Sequence, residues 1–217
     1  MIRVVIADDH HLVRQGIRAL LEKQAHIQVI GEAQDGQEAL NLTQTLKPDV
    51  LVLDINLPCI NGIEVIKRVR GEALPTEVLI LSMYDDESLV KRALRNGARG
   101  YVLKKSISEE LFTAIAAAST RRMYLSPELQ DILQNGALLP NVSSAPADEF
   151  ERLTARERQV CQLIAEGNTN QEIAQRLGIS VKTVEKHRAS LMEKLNVQDV
   201  AGLIREAIRH NLIFIDR

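Results

Sequence analysis

Across its first 120 residues the chain alternates short β-branched runs with longer stretches of helical period, and this alternation constrains the fold more than any other feature. Arg3 to Ala7, Gln28 to Ala33, Val50 to Leu53, Val78 to Leu81 and Tyr101 to Leu103 read as five strands. The segments between them place apolar residues on one face, as with Val13, Ile17, Leu20 and Leu21, or Ile63, Ile66 and Val69. Asp35 with Glu38 and Ser106 with Glu109 resemble capping boxes, and Gly97 is placed to end the fourth helix. Strand, helix, strand at this spacing requires right-handed crossovers, hence a parallel sheet covered on both faces. The expected fold is a small, doubly wound α/β domain with five strands. Such sheets bind ligands outside the carboxyl ends of their strands, where the strand order reverses.

The pattern stops before the chain does. Between Asn135 and Glu149, Gly136, Pro140, Asn141, Ser143, Ser144 and Pro146 interrupt any apolar period, as in a linker. Beyond it lie four helical segments and no strand-like run. Thr154 with Glu157 and Thr169 with Glu172 form capping boxes, Gly167 and Gly178 close two helices, Ser180 opens a third that runs to about Leu195, and the last runs from near Asp199 to near His210. The expected division is residues 1–120, a connection at 121–149, and an all-α domain at 150–217. The net charge of −2 divides along it as −2, −2 and +2, so the basic excess lies in the helical piece. No apolar run approaches the ~20 residues that span a bilayer, and no signal pattern opens the chain, so a cytoplasmic location is expected. Cys59 and Cys161 each stand alone, which implies reduced thiols and neither a zinc cage nor a disulfide framework.

Asp8 and Asp9 close the first strand and Asp54 closes the third, so the fold brings three carboxylates to one edge of the sheet. Like charges at such range raise one another's pKa unless a cation neutralises them, and Mg2+ is the economical choice. Ser82, after the fourth strand, supplies a hydroxyl and Lys104, after the fifth, a point charge, the groups phosphoryl chemistry needs.

The segments IADDH, LVLDINLPCINGIE, LILSMY and GYVLKK resemble, in order and spacing, the receiver domains of bacterial response regulators. The resemblance implies that Asp54 is phosphorylated by a sensor histidine kinase. It further implies that Asp9 and Asp54 ligate Mg2+ directly, that Asp8 helps through water, and that Asn56 contributes its backbone carbonyl. Ser82 and Lys104 would hold the phosphoryl group, and Tyr101 resembles the family's switch aromatic. Met83 departs from the small residue many receivers carry and would restrict water at the acyl phosphate. Lys105 stands where many have proline. A phosphatase of the haloacid dehalogenase type would also place a nucleophilic Asp at a strand end. It needs a second Asp two positions on, where this chain has Asn56, so no enzymatic activity is expected beyond the receiver's own phosphoryl transfer and dephosphorylation. A regulator with a decayed receiver would have lost some of Asp8, Asp9, Asp54, Ser82 and Lys104, and all five are present.

In the third C-terminal helix, Val181, Val184, Arg188, Leu191, Met192 and Leu195 fall within one arc at about 100° per residue, the expected core face. Lys182, Lys186, Ala189, Ser190 and Glu193 project opposite, with Thr183 and Glu185 on the flanks, and His187 lies at the rim of the core arc. A preceding helix and a turn containing Gly178 complete a helix-turn-helix pattern, whose second helix enters the major groove. The stretch from Leu153 to Val197 is similar almost throughout to the LuxR-type helix-turn-helix domain, and the whole chain resembles the NarL/FixJ class of response regulators. The resemblance implies DNA contacts by Lys182, Thr183, Lys186 and nearby residues, with Lys194 and the start of the second helix, Asn170, touching phosphates. Glu185, Lys186 and Ala189 are the expected base-edge residues, and Lys182 and Thr183 the backbone ones. The expected function is a two-component transcription factor that binds promoter DNA as a homodimer when phosphorylated, a role compatible with contact to RNA polymerase. A pure adaptor would leave the basic helix face unexplained.

Overall fold

The computed structural model describes residues 1–131 and 149–214, which fall into two compact units on either side of the intervening segment. The first is an α/β domain with strands β1 (Ile2–Ala7), β2 (Ile27–Ala33), β3 (Val50–Asp54), β4 (Glu77–Ser82), β5 (Gly100–Leu103) and β6 (Tyr124–Leu125). Its helices are α1 (His11–Leu21), α2 (Gly36–Leu46), α3 (Gly62–Gly71), α4 (Glu87–Arg95) and α5 (Ile107–Ser119). All strand pairs are parallel, in the order β2-β1-β3-β4-β5-β6. The order reverses between β1 and β3, which opens a crevice there.

The sheet therefore has a sixth strand where five were expected. Two residues give no readable alternation; Tyr124 and Leu125 form a strand because the outer edge of β5 offers unpaired backbone groups. Ser106 is a second correction. Its side chain caps nothing, because Lys104–Ser106 is a single 3-10 turn that runs directly into α5. Asp35 does cap α2, accepting from the Glu38 N–H at 2.8 Å. Gly97, at φ +105°, ends α4 in a conformation other residues avoid.

Strand residues alternate between two cores. Val4, Ile6, Val50, Val52, Leu79, Leu81 and Val102 meet Ile17 and Leu21 of α1 and Leu111, Ala114, Ile115 and Ala118 of α5. Val5, Leu51, Leu53 and Ile80, on the alternate face, are fully buried as well, as are Ile63, Ile66 and Val69 of α3. Burial on both faces is why these strands read as continuous apolar runs. At the crevice, Gly62 lets α3 begin against β3: a Cβ there would stand 2.8 Å from the Asp54 carbonyl oxygen.

The second unit consists of a short 3-10 turn, Glu149–Arg152, then α6 (Ala155–Ala165), α7 (Asn170–Leu177), α8 (Val181–Lys194) and α9 (Val200–Arg209). Both expected capping boxes are present, Thr154 with Glu157 and Thr169 with Glu172. Its core is small: Leu153, Val160, Cys161, Leu163, Ile173, Val184, Leu191, Leu203 and Ala207 are all buried. Phe150 stacks on His210 at 4.6 Å between ring centroids, so the turn before α6 is packed against the end of α9. Burial also raises the Cys161 thiol to about 12, consistent with a structural thiol. Among the described residues, no helix is long and apolar enough to cross a membrane.

Candidate functional sites: an acidic strand-end cluster and a helix-turn-helix face

Ala7 of β1 pairs with Leu53 of β3, so Asp8 and Asp54 emerge side by side at the reversal in strand order. Both are buried, Asp8 at 1% and Asp54 at 4% exposure. Ser82 pairs with Leu103, and the next residue of that chain is Lys104. The Lys104 ammonium donates to Asp54 Oδ2 at 2.7 Å and lies 2.8 Å from Asp8 Oδ2. Burial raises the Asp54 pKa to about 6, with the Asp8 charge adding to it and Lys104 opposing. Burial also opposes the charge on Lys104, but the two carboxylates more than offset it and its pKa is raised. The Lys104 ammonium is thus what opposes the effect of burial on the Asp54 carboxylate.

The remaining members of the cluster sit at its mouth. Asp9 is exposed, and its Oδ1 lies 2.7 Å from Nδ1 of His10, a residue the sequence reading passed over although it directly follows the Asp pair. One ligand atom each from Asp8, Asp9, His10 and Asp54 can be chosen so that all lie within 4.8 Å of one another. The Asn56 backbone N–H donates to Asp54 Oδ1 at 3.2 Å, which holds that turn of backbone against the carboxylate. Asp8 Oδ2 is buried, and no donor among the described residues reaches it in hydrogen-bonding geometry; the approach of Lys104 is an ion pair only. Three convergent carboxylates, two of them buried against a single ammonium, fit a hard divalent cation such as Mg2+.

Ser82 is fully buried, and its hydroxyl accepts the Tyr84 N–H at 3.0 Å. Tyr101 is also fully buried, its ring turned inward and its hydroxyl donating to the Tyr84 carbonyl at 2.8 Å. Burial raises the phenol well above its usual range. Ser82 and Tyr101 therefore grip the same residue of the loop after β4. Met83, between them in sequence with Tyr84, stands 71% exposed.

In the second unit, α7 ends at Gly178 in the left-handed conformation, φ 63°, and Ser180 caps α8 by accepting the Thr183 N–H at 3.1 Å. Three residues turn the chain between the helices, the tight spacing of a helix-turn-helix. Lys182, Glu185, Lys186 and Ala189 are exposed along α8. Thr183 is half-buried with its hydroxyl 2.8 Å from Ser180 Oγ, and His187 is half-buried at the rim. Asn170 opens α7 and accepts a 3.3 Å hydrogen bond from Arg188.

Two expectations for α8 need correction. Val181, assigned to the core arc, is 39% exposed, because at the first helical position its side chain leans back over the turn. Ser190, assigned to the outward face, is half-buried and donates to Glu157 Oε1 at 2.8 Å. Lys194 joins it, with its ammonium 2.8 and 2.7 Å from the two Glu157 oxygens. Glu157 also accepts from the backbone and hydroxyl of Thr154. Burial raises its pKa, but the hydrogen bonds from Lys194, Thr154 and Ser190 outweigh it and bring it down to about 2. The capping-box glutamate thus pulls two polar residues of α8 inward and leaves Lys182, Glu185, Lys186, Ala189 and Glu193 exposed along the outward face.

Residues 4–116 match the family described as the response regulator receiver domain, and residues 151–207 match the bacterial regulatory proteins of the luxR family. The chain is similar to the oxygen regulatory protein NreC of Staphylococcus carnosus, 36% identical over 97% of this chain and 99% of that one. Among solved structures it is similar to the Salmonella typhimurium response regulator RcsB, studied for its conformational dynamism in DNA interaction. That likeness is 28% identity over 94% of this chain and 97% of RcsB at a TM-score of 0.57. A structure of two RcsB dimers bound to two parallel DNAs is similar at 28% identity and a TM-score of 0.57, over 94% of this chain and 96% of that one. With both domain families matched in this order, and relatives aligned nearly end to end, the chain belongs to the two-component response regulators that join a receiver to a LuxR-type DNA-binding domain.

Proposed function

We propose that Asp54 is the phosphoacceptor and a sensor histidine kinase the donor. The Asp54 carboxylate attacks the phosphorus of the kinase's phosphohistidine; the P–O bond forms as the P–N bond breaks, and the imidazole leaves. Mg2+, held by Asp8, Asp9, Asp54 and the Asn56 carbonyl, would supply neutralising charge for the phosphoryl oxygens. Lys104 already pairs with Asp54 and would follow the new charge outward, and the Ser82 hydroxyl would leave the Tyr84 N–H to donate to the phosphoryl group. Tyr101, tied to the same residue, would register that exchange. Met83, exposed beside Ser82, would limit water there. Catalysis is confined to the chain's own phosphoryl transfer and hydrolysis, since Asn56 offers no second carboxylate to activate water.

The functional division is a receiver at 1–120, a connection at 121–149 whose β6 the sheet holds, and a DNA-binding domain at 150–217. Phosphorylation biases an existing equilibrium between two receiver states. The active form binds promoter DNA as a homodimer on paired half-sites in the cytoplasm, within reach of RNA polymerase. The outward face of α8 enters the major groove, with Lys186, Glu185 and Ala189 at base edges and Lys182, Thr183, His187 and Asn170 towards the backbone. Ser190 and Lys194 hold α8 against α6.

The observation that carries this reading is the Lys104 ammonium between two buried carboxylates at the ends of β1 and β3, 2.8 and 2.7 Å away. Its test is intact-mass spectrometry of the protein and its Asp54→Asn variant after incubation with acetyl phosphate, with and without Mg2+. One phosphoryl group is expected on the wild type with Mg2+ alone. A gain on the variant, or none on the wild type under any condition, overturns the assignment.

A further inference from the structure

We propose that His10 is a nitrogen ligand of the acidic cluster, so that the site takes nitrogen-accepting divalent cations such as Co2+ and Ni2+ in competition with Mg2+. The proposal rests on reading the cluster as a cation site, and goes beyond it by giving that site a mixed donor set.

The placement of His10 is fixed by backbone bonds. Its N–H donates to Asp8 Oδ1 at 2.8 Å, and its carbonyl accepts the Arg14 N–H at 3.0 Å as the first bond of the helix. The ring makes no capping bond to α1. Instead Nδ1 lies 2.7 Å from Asp9 Oδ1 and 3.4 Å from Asp8 Oδ1. One ligand atom from each of Asp8, Asp9, His10 and Asp54, a ring nitrogen in the case of His10, lie within 4.8 Å of one another. With metal–ligand bonds of about 2.1 Å, opposite ligands of one ion stand about 4.2 Å apart, so these four atoms nearly span a single coordination sphere. Few torsions stand between this arrangement and ligation. The ring is 58% exposed, so turning it onto an ion displaces solvent and breaks no packing.

Three carboxylates alone make a hard oxygen site that suits Mg2+. An imidazole nitrogen changes the ranking, since affinity for nitrogen-containing sites rises from Mn2+ towards Ni2+ and Cu2+ while Mg2+ gains little. If His10 only steered Asp9 through their close contact, its loss would weaken every cation alike. The two roles therefore predict different patterns.

The experiment is calorimetric titration of the untagged full chain with Co2+ and with Mg2+, each alone and in competition, for the wild type, His10→Asn and Asp54→Asn. We expect one Co2+ site that Mg2+ displaces, weakened about tenfold or more by His10→Asn while Mg2+ affinity changes less than about twofold. Equal losses for both cations, or an unchanged Co2+ affinity, overturn the proposal. So does a His10-dependent Co2+ site that survives Asp54→Asn, since it would lie outside the cluster. Failure of the wild type to bind Mg2+ would instead remove the reading of the cluster, and the proposal with it.

Discussion

Glu157 shows how much one side chain decides here. Sequence alone marks it as the fourth residue of a capping box, worth about a kcal/mol at a helix start. In the folded unit it also receives Ser190 and Lys194 from α8, and its pKa falls to about 2. A carboxylate whose folded pKa lies below its unfolded value stabilises the fold above the unfolded pKa, and loses that contribution as pH falls through the folded one. From an ordinary value of 4.5 to about 2, the loss spans that window. Glu157→Gln should therefore lower the stability of the second unit at pH 7 and flatten its acid dependence between those values. Urea titrations read on α6 and α8 amide resonances at pH 7 and pH 3 check both. An unchanged acid dependence in the variant would mean that another group carries it. The convergence of Asp8, Asp9, Asp54, Ser82 and Lys104 was legible because each ends a strand or follows one within two residues, and strand ends can be read from hydropathy. His10 was not, because a histidine after an acidic pair has no pattern until the ring is seen to point at the carboxylates.

At the scale of elements, the segment after α5 matters most. Tyr124 and Leu125 pair with Gly100 and Tyr101, and the Ser126 N–H donates to the Tyr101 carbonyl at 3.0 Å. The fully buried Ser126 hydroxyl accepts from the Leu103 N–H at 3.0 Å and donates to Glu110 of α5 at 2.6 Å. Residues read from sequence as connection are thus bonded to the strand that carries Tyr101 and leads into Lys104. Ser126→Ala would strand a buried N–H and remove the shorter of two hydrogen bonds to a buried carboxylate, a loss of about 1 to 3 kcal/mol. A receiver ending at residue 120 should likewise melt below one ending at 131; equal melting temperatures would show that β6 contributes nothing to the sheet. The longer elements were visible because five or more residues of one period outweigh local noise, whereas a two-residue strand depends on the partner edge it meets. Helix starts fared similarly. Asp35, Thr154, Thr169 and Ser180 cap as their sequences suggest, while Ser106 does not, because a 3-10 turn takes up the chain before it.

For the whole molecule, each unit has its own core, and the proposed function divides accordingly between the sheet edge that carries the carboxylates and the exposed face of α8. DNA affinity should fall with salt in proportion to the phosphates neutralised, with a log–log slope of about 0.9 per contact. Lys186→Ala should weaken binding of the full chain, whereas Lys194→Ala should leave the salt slope unchanged and lower the stability of the second unit. Affinity across a salt series with both variants checks this, and a reduced slope for Lys194→Ala would place that ammonium on DNA instead of Glu157. The sequence by itself determined the two fold classes, the strand ends where the carboxylates gather and the helix-turn-helix, because these follow from periodicity and turn chemistry along the chain. Tertiary structure alone decided that β6 joins the sheet, that Ser190 and Lys194 face inward and that His10 meets the acidic cluster. Those outcomes depend on which unpaired donor or acceptor a distant segment presents, and that information is not local in sequence.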